Sequence, residues 1–126
     1  MAFDIKIRNK EGEKKPTRYF SKKQEDQVAK SLGGNRNLNS GATPFQPGDV
    51  SIDSLMLIEC KTKITSSESI SIKKEWLDKN LKEALFSGKP YNVLAFNFGP
   101  DQKNYYILDE NTFIDFLNYL KIKHKK

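Results

Sequence analysis

Residues 47–61 read Pro47-Gly48-Asp49-Val50-Ser51-Ile52-Asp53-Ser54-Leu55-Met56-Leu57-Ile58-Glu59-Cys60-Lys61. Positions 55–58 are apolar at both parities, the pattern of a strand covered on both faces. The run then switches abruptly to Glu59-Cys60-Lys61. Side chains alternate along a strand, so Glu59 and Lys61 share one face and Cys60 points to the other. Residues 49–53 read as a second strand, separated from residues 55–63 by a short turn and preceded by the Pro47-Gly48 turn.

That hairpin carries a parity condition. Directly opposed residues of an antiparallel pair lie on one face. Asp49 shares a face with Glu59 and Lys61 only if it opposes an odd-numbered residue such as Leu57. A two-residue turn at Asp53-Ser54 sets Asp49 against Ile58 and separates the carboxylates. The turn must therefore hold an odd number of residues, such as Ile52-Asp53-Ser54, or a bulge must shift the register by one.

Upstream, Phe3, Ile5 and Ile7 alternate with Asp4, Lys6 and Arg8, the period of a half-buried strand. Residues 9–15 read as a loop or hairpin tip and residues 17–20 as its return strand. Ser21 is a plausible N-cap for a helix over residues 21–32, ended by Gly33 and Gly34. Residues 35–47 are polar with Gly and Pro, hence a loop or short irregular strand. Downstream, residues 66–69 read as a loop and residues 70–72 as a brief extended segment. Residues 73–87 form a predicted helix with Trp76, Leu77, Leu81, Ala84 and Leu85 on one apolar face. Gly88 ends it and Pro90 prevents its resumption. Residues 91–98 read as a buried strand, 99–101 as a turn and 105–108 as a strand. A last helix starts at Asn111 or Thr112 and runs through residue 120, with Phe113, Phe116, Leu117 and Leu120 inward. This order predicts an α/β fold, a mixed β-sheet flanked by helices, in a single domain over residues 1–126.

The 126 residues, 37% of them hydrophobic, suffice for one modest core. No apolar run reaches the roughly 18 residues of a membrane span, and the opening Met1-Ala2-Phe3-Asp4-Ile5-Lys6 offers no stretch of the length a secretory leader needs. The single cysteine, Cys60, has no internal disulfide partner, which fits a reducing, cytoplasmic setting. Net charge is +6 and unevenly spread. Residues 1–35 carry nine basic and five acidic groups, residues 61–126 twelve and eight, and residues 36–60 only Arg36 against Asp49, Asp53 and Glu59. A protein that holds a cation while touching phosphates has this layout, as does one with ordinary surface charge.

Ionised groups at the end of a buried strand are costly unless paired or bound to metal. A Glu59–Lys61 ion pair is one solution. The other is a nuclease site, in which Asp49 and Glu59 offer hard oxygen ligands to Mg²⁺ or Mn²⁺. Lys61 would then orient or deprotonate the attacking water, or stabilise developing negative charge.

At these residues the chain resembles the PD-(D/E)XK nuclease superfamily, over about residues 21–98. The resemblance implies a restriction-endonuclease-like core with the carboxylates on a central hairpin. It implies a further acidic catalytic residue and metal ligand from the first helix, for which Glu25 is the candidate and Asp26 the competitor, and a metal ligand in the backbone carbonyl of Cys60. The segment Asn39-Ser40-Gly41-Ala42 resembles the serine-glycine loop of archaeal and phage Holliday-junction resolvases, making Ser40 the residue near the scissile phosphate. Two departures stand out. Gly48 occupies the usual proline position, and Asp26 rather than arginine follows Glu25, which favours a phage-like relative.

Other residues carry less. His124 is the only histidine, which argues against histidine-based catalysis or a zinc cluster; Trp76 reads as core and Cys60 as a buried small hydrophobe. The expected activity is a Mg²⁺-dependent endodeoxyribonuclease acting on branched or four-way-junction DNA. The expected assembly is a homodimer, with residues 3–7 and the helix of Phe113 and Leu120 as candidate interfaces, in a bacterial or phage-infected host cytoplasm. The alternatives are a nicking, repair or restriction-type nuclease, and an inert DNA-binding protein on the same fold.

Overall fold

The computed structural model describes residues 17–37 and 49–125. Its centre is the strand that the apolar run at 55–58 foretells. Strand β3 (Met56–Lys61) lies in the middle of a five-stranded sheet, and Leu57 and Ile58 are fully buried on its two faces. On one side β3 pairs antiparallel with β2 (Val50–Ile52), which pairs antiparallel with β1 (Asn35–Arg36). On the other it pairs parallel with β4 (Tyr91–Phe96), whose far edge carries the antiparallel β5 (Tyr105–Ile107). A parallel pair needs a crossover, and α2 (Lys74–Phe86) supplies it. Helix α1 (Thr17–Leu32) precedes the sheet and α3 (Glu110–Lys123) follows it. The chain is a small α/β domain with a mixed sheet and three helices among the described residues.

The parity of β3 sorts its surroundings. Ile58 and Cys60 join Val50, Val93 and Ala95 in a core closed by Val28 of α1. Leu57 turns the other way, as does Leu94, the register partner of Glu59, and both are buried. That face belongs to α2, whose Ala84 and Asn80 are each 1% exposed. Asn80 donates to the carbonyl of Val93 at 3.0 Å, so a polar residue lies at the centre of the helix face.

Several boundaries move. Residues 17–20 are the first turn of α1, not a return strand. No helix breaker stands there, and starting at Thr17 places Arg18 two turns from Glu25, which its guanidinium reaches at 3.4 Å. Residues 70–72 form no strand. In α2, Leu81 and Leu85 are 42% and 68% exposed, because Asn80 occupies the inward position that an apolar wheel assigns to leucine. In α3, Phe113, Phe116, Leu117 and Leu120 are all exposed, contrary to the expected inward face. Its start is capped by Asp109, which accepts from the Thr112 amide at 2.8 Å, two to three residues before the expected caps. No helix among the described residues is long and apolar enough to cross a membrane. The strand expected at Phe3, Ile5 and Ile7 lies outside the described residues.

Gly33 ends α1 with φ of 71°, and the Gly34 amide returns to the Ala29 carbonyl at 2.8 Å. Gly34 then passes so close to β2 that an added Cβ would sit 2.6 Å from the Ser51 carbonyl oxygen. Gly34→Ala should therefore cost about 1–3 kcal/mol in urea unfolding through backbone displacement. Gly33→Ala, with open space around it, should cost about 1–2 kcal/mol from its left-handed φ alone. Wild-type stability in Gly34→Ala would contradict this close approach.

Candidate functional site

The turn between β2 and β3 holds three residues, Asp53, Ser54 and Leu55, closed by Leu55 N–H donating to the Ile52 carbonyl at 3.0 Å. Asp53 takes a φ of 49° there, a conformation Asp tolerates better than most residues. The odd loop satisfies the parity condition, one residue later than Ile52-Asp53-Ser54. Val50 opposes Ile58 and Ser51 opposes Leu57, so Leu57 is not the partner of Asp49, which lies one residue outside the ladder.

At Asp49 the chain bends. Its N–H donates to the Ile58 carbonyl at 3.0 Å while its C=O accepts from Asn37 N–H at 2.8 Å, on the opposite edge. The ladder stops, and the Cys60 N–H would face an empty edge. The Asp49 carboxylate fills it, Oδ2 accepting that amide at 2.7 Å. N–H and C=O of one extended residue point to the same edge, so the Cys60 carbonyl is also directed toward Asp49. The Cys60 thiol points into the apolar core, where burial pushes its pKa up and leaves it inert.

Glu59 is 7% exposed, and its Oε1 has no hydrogen-bond partner. Burial, then the charge of Asp49, raises its pKa. Lys61 Nζ lies 3.4 Å from Glu59 Oε2 and 4.5 Å from the centre of the Trp76 ring. Lys79 of α2 adds a second cation. Its burial would lower its pKa, but the hydrogen bond to Glu83 and the charges of Glu59, Glu83 and Asp49 raise it. Nothing in the α2 sequence singles out Lys79; its place beside Asp49 and Glu59 comes from the packing of that helix.

Glu25 is 2% exposed whereas Asp26 is exposed, which separates the two helix carboxylates. Glu25 Oε2 meets Arg18, and Oε1, without a hydrogen-bond partner, lies 3.7 Å from Arg36. Arg36 makes its close contact with Asp26, at 2.8 Å. Burial, then Asp49, pushes the Glu25 pKa up to about 7. Asp49 thus acts electrostatically on both other carboxylates. Beside Glu25, Gln24 donates to the Lys61 carbonyl at 2.9 Å and to Asn104 at 3.0 Å, and Asn97, which also accepts from Thr62, donates to Asn104. This network anchors the end of β3, and no sequence pattern marks it. Ser40 lies outside the described residues, and His124 sits exposed at the end of α3.

Glu25 Oε1 and Glu59 Oε1 are buried without hydrogen-bond partners, and Asp49 acts on both glutamates. Among the described residues no three His, Cys, Asp or Glu side chains are gathered closely enough to cage an ion. Glu25 is instead turned into its arginine pair. The remaining donors, Asp49, Glu59 and the Cys60 carbonyl, match Mg²⁺, which uses one or two carboxylates and keeps several waters. No protein-family model matches the chain, and neither the curated proteins nor the solved structures give a significant match.

The raised pKa values make stability pH-dependent. An unfolded Glu25 loses its proton near 4.5, while the folded one keeps it to about 7. The folded state binds more protons in that window, so stability should fall as pH rises through it. Thermal melting from pH 4.5 to 7 without divalent cations should show this decline, and Glu25→Gln should flatten it. An unchanged slope in Glu25→Gln would remove Glu25 as its source.

Proposed function

We propose that this chain is a metal-dependent DNA endonuclease of the PD-(D/E)XK type, built on a restriction-endonuclease-like core and acting on branched DNA. One observation carries this reading. Glu25, Asp49 and Glu59 are buried around one strand end beside Lys61, and Glu25 and Glu59 each keep a carboxylate oxygen without a hydrogen-bond partner. A purely structural ion pair has no need for two further buried carboxylates. Apolar residues of similar volume would be as stable or more so.

In this site Asp49, Glu59 and the Cys60 carbonyl would hold the cation. When bound, Mg²⁺ or Mn²⁺ supplies an acidified water and neutralises charge on the phosphate. Lys61 orients the attacking water and donates to a phosphate oxygen as negative charge develops. Water adds to phosphorus and gives up a proton to solvent, and the bond to the 3′ oxygen breaks in line, that oxygen taking a proton from solvent water. Lys79 contributes positive charge from α2. Glu25 sets the local field, and Ser40 is the loop residue assigned to the scissile phosphate. A net charge of +6 suits contact with DNA through its phosphates. Pairing of two sites on opposed strands calls for a homodimer. The exposed Phe113, Phe116, Leu117 and Leu120 of α3 make that helix the favoured interface.

Labelled four-way junction, flap, nicked and linear DNA, incubated with Mg²⁺, should show cleavage of the branched forms. Chelation should abolish it. Asp49→Asn, Glu59→Gln and Lys61→Ala should each reduce the rate by at least about a hundredfold while DNA binding survives. Cleavage of linear DNA alone would move the assignment to a nicking, repair or restriction-type enzyme. Binding without cleavage would leave an inert DNA-binding protein.

Light scattering at micromolar concentration should return twice the 14.5 kDa chain mass. Phe116→Glu with Leu120→Glu should shift it to a monomer. A monomeric wild type, free and on junction DNA, would refute the dimer.

A further inference from the structure

Trp76, the only tryptophan, stands in the first turn of α2, where apolar periodicity assigns it to the core. It is half-buried, and its ring instead meets two ammonium groups, Lys61 Nζ at 4.5 Å and Lys73 Nζ at 5.9 Å from the ring centre. Lys61 is the lysine of the proposed site. Its other partner is Glu59, at 3.4 Å, well beyond the 2.7–2.9 Å of a strong charge-assisted bond. Glu59 alone therefore holds the ammonium loosely.

We propose that Trp76 is a positioning residue, whose ring face holds the Lys61 ammonium beside Glu59 and toward the strand end where Asp49 and the Cys60 carbonyl lie. The functional half of this inference rests on the nuclease reading; the placement of Lys61 does not. An aromatic face suits the task for an electrostatic reason. A third carboxylate on this side would restrain the lysine more strongly, but would add negative charge where a phosphate must approach. The ring attracts the cation through its quadrupole and carries no net charge. It also accepts no conventional hydrogen bond, so the ammonium N–H groups turned away from it stay available to oxygen acceptors. Lys73, farther from the same ring, adds a second positive charge beside it without displacing Lys61.

The test pairs Trp76→Leu, which keeps apolar bulk without a π face, with Trp76→Phe, which keeps the face. In the wild-type chain the ring current should move the Lys61 ε protons upfield of those of the other lysines, the signal being assigned by its loss in Lys61→Met. Trp76→Leu should return that signal to the ordinary position, and Trp76→Phe should keep most of the shift. On four-way-junction DNA with Mg²⁺, Trp76→Leu should lower kcat by roughly three- to thirtyfold, the population ratio that a cation–π contact sustains. KM should change little, because the loss falls on the transition state, and Trp76→Phe should recover most of the rate.

A wild-type Lys61 signal among the other lysines would overturn the placement without any variant, even if Trp76→Leu fails to fold. Equal kcat in Trp76→Leu and wild type would overturn the positioning role while leaving the nuclease reading intact. So would a Trp76→Phe variant as slow as Trp76→Leu. A wild-type chain that cuts none of the DNA substrates would sink the nuclease reading and the kinetic role with it; the Lys61 signal alone would then decide the placement.

Discussion

Where β2 ends, the amide of Cys60 in β3 still points toward the vacated edge. A buried N–H without an acceptor costs about 1–3 kcal/mol. The Asp49 carboxylate, brought to that edge by the bend in its own backbone, accepts the amide at 2.7 Å. The choice has consequences throughout the domain. An acidic acceptor now sits at 9% exposure, and its charge adds to burial, the larger cause, in raising the pKa of Glu25 and of Glu59.

The cations around this cluster answer that charge without closing it. Arg18 and Arg36 approach Glu25 from α1 and β1, and Lys61 and Lys79 approach Glu59 from β3 and α2. None of these contacts to Glu25 or Glu59 is shorter than 3.4 Å, and one oxygen of each glutamate lacks a hydrogen bond. Arg36 makes its tightest bond to Asp26 and Lys79 to Glu83. A site evolved for stability alone would exchange such a cluster for apolar contacts. Glu25 and Glu59 combine burial, raised pKa values and an oxygen without a hydrogen-bond partner.

The same end of β3 is also held by neutral groups. Gln24 bonds the Lys61 carbonyl, and Asn97 and Asn104 continue the network toward β5. These neutral amides tie α1 to the strand end without adding charge beside Glu59 and Lys61. Glu25 follows Gln24 on the same helix, so the residue that locks the strand and the residue that shapes its charge move together.

The alternation and apolar run of residues 55–61 were enough to identify a buried central strand, because both-face burial leaves a mark in every residue of the strand. Gly33 and Gly88 punctuated the helices for the same local reason, a left-handed φ that other residues resist. The bond of Asp49 to the Cys60 amide came from a bend beyond the ladder, whereas the odd-residue turn between β2 and β3 was legible through parity. Asn80, Leu81 and Leu85 were not, since an apolar count cannot know that a strand carbonyl needs an amide donor at the centre of α2. Nor could it foresee that α3 leaves Phe113, Phe116 and Leu120 exposed, because periodicity reports which residues share a face and not what that face meets. Glu25 over Asp26, Lys79 beside Glu59, and Trp76 against Lys61 were decided only by tertiary packing. Each depends on the rotation of a helix about its axis relative to the sheet, a quantity set by contacts between residues far apart in the chain.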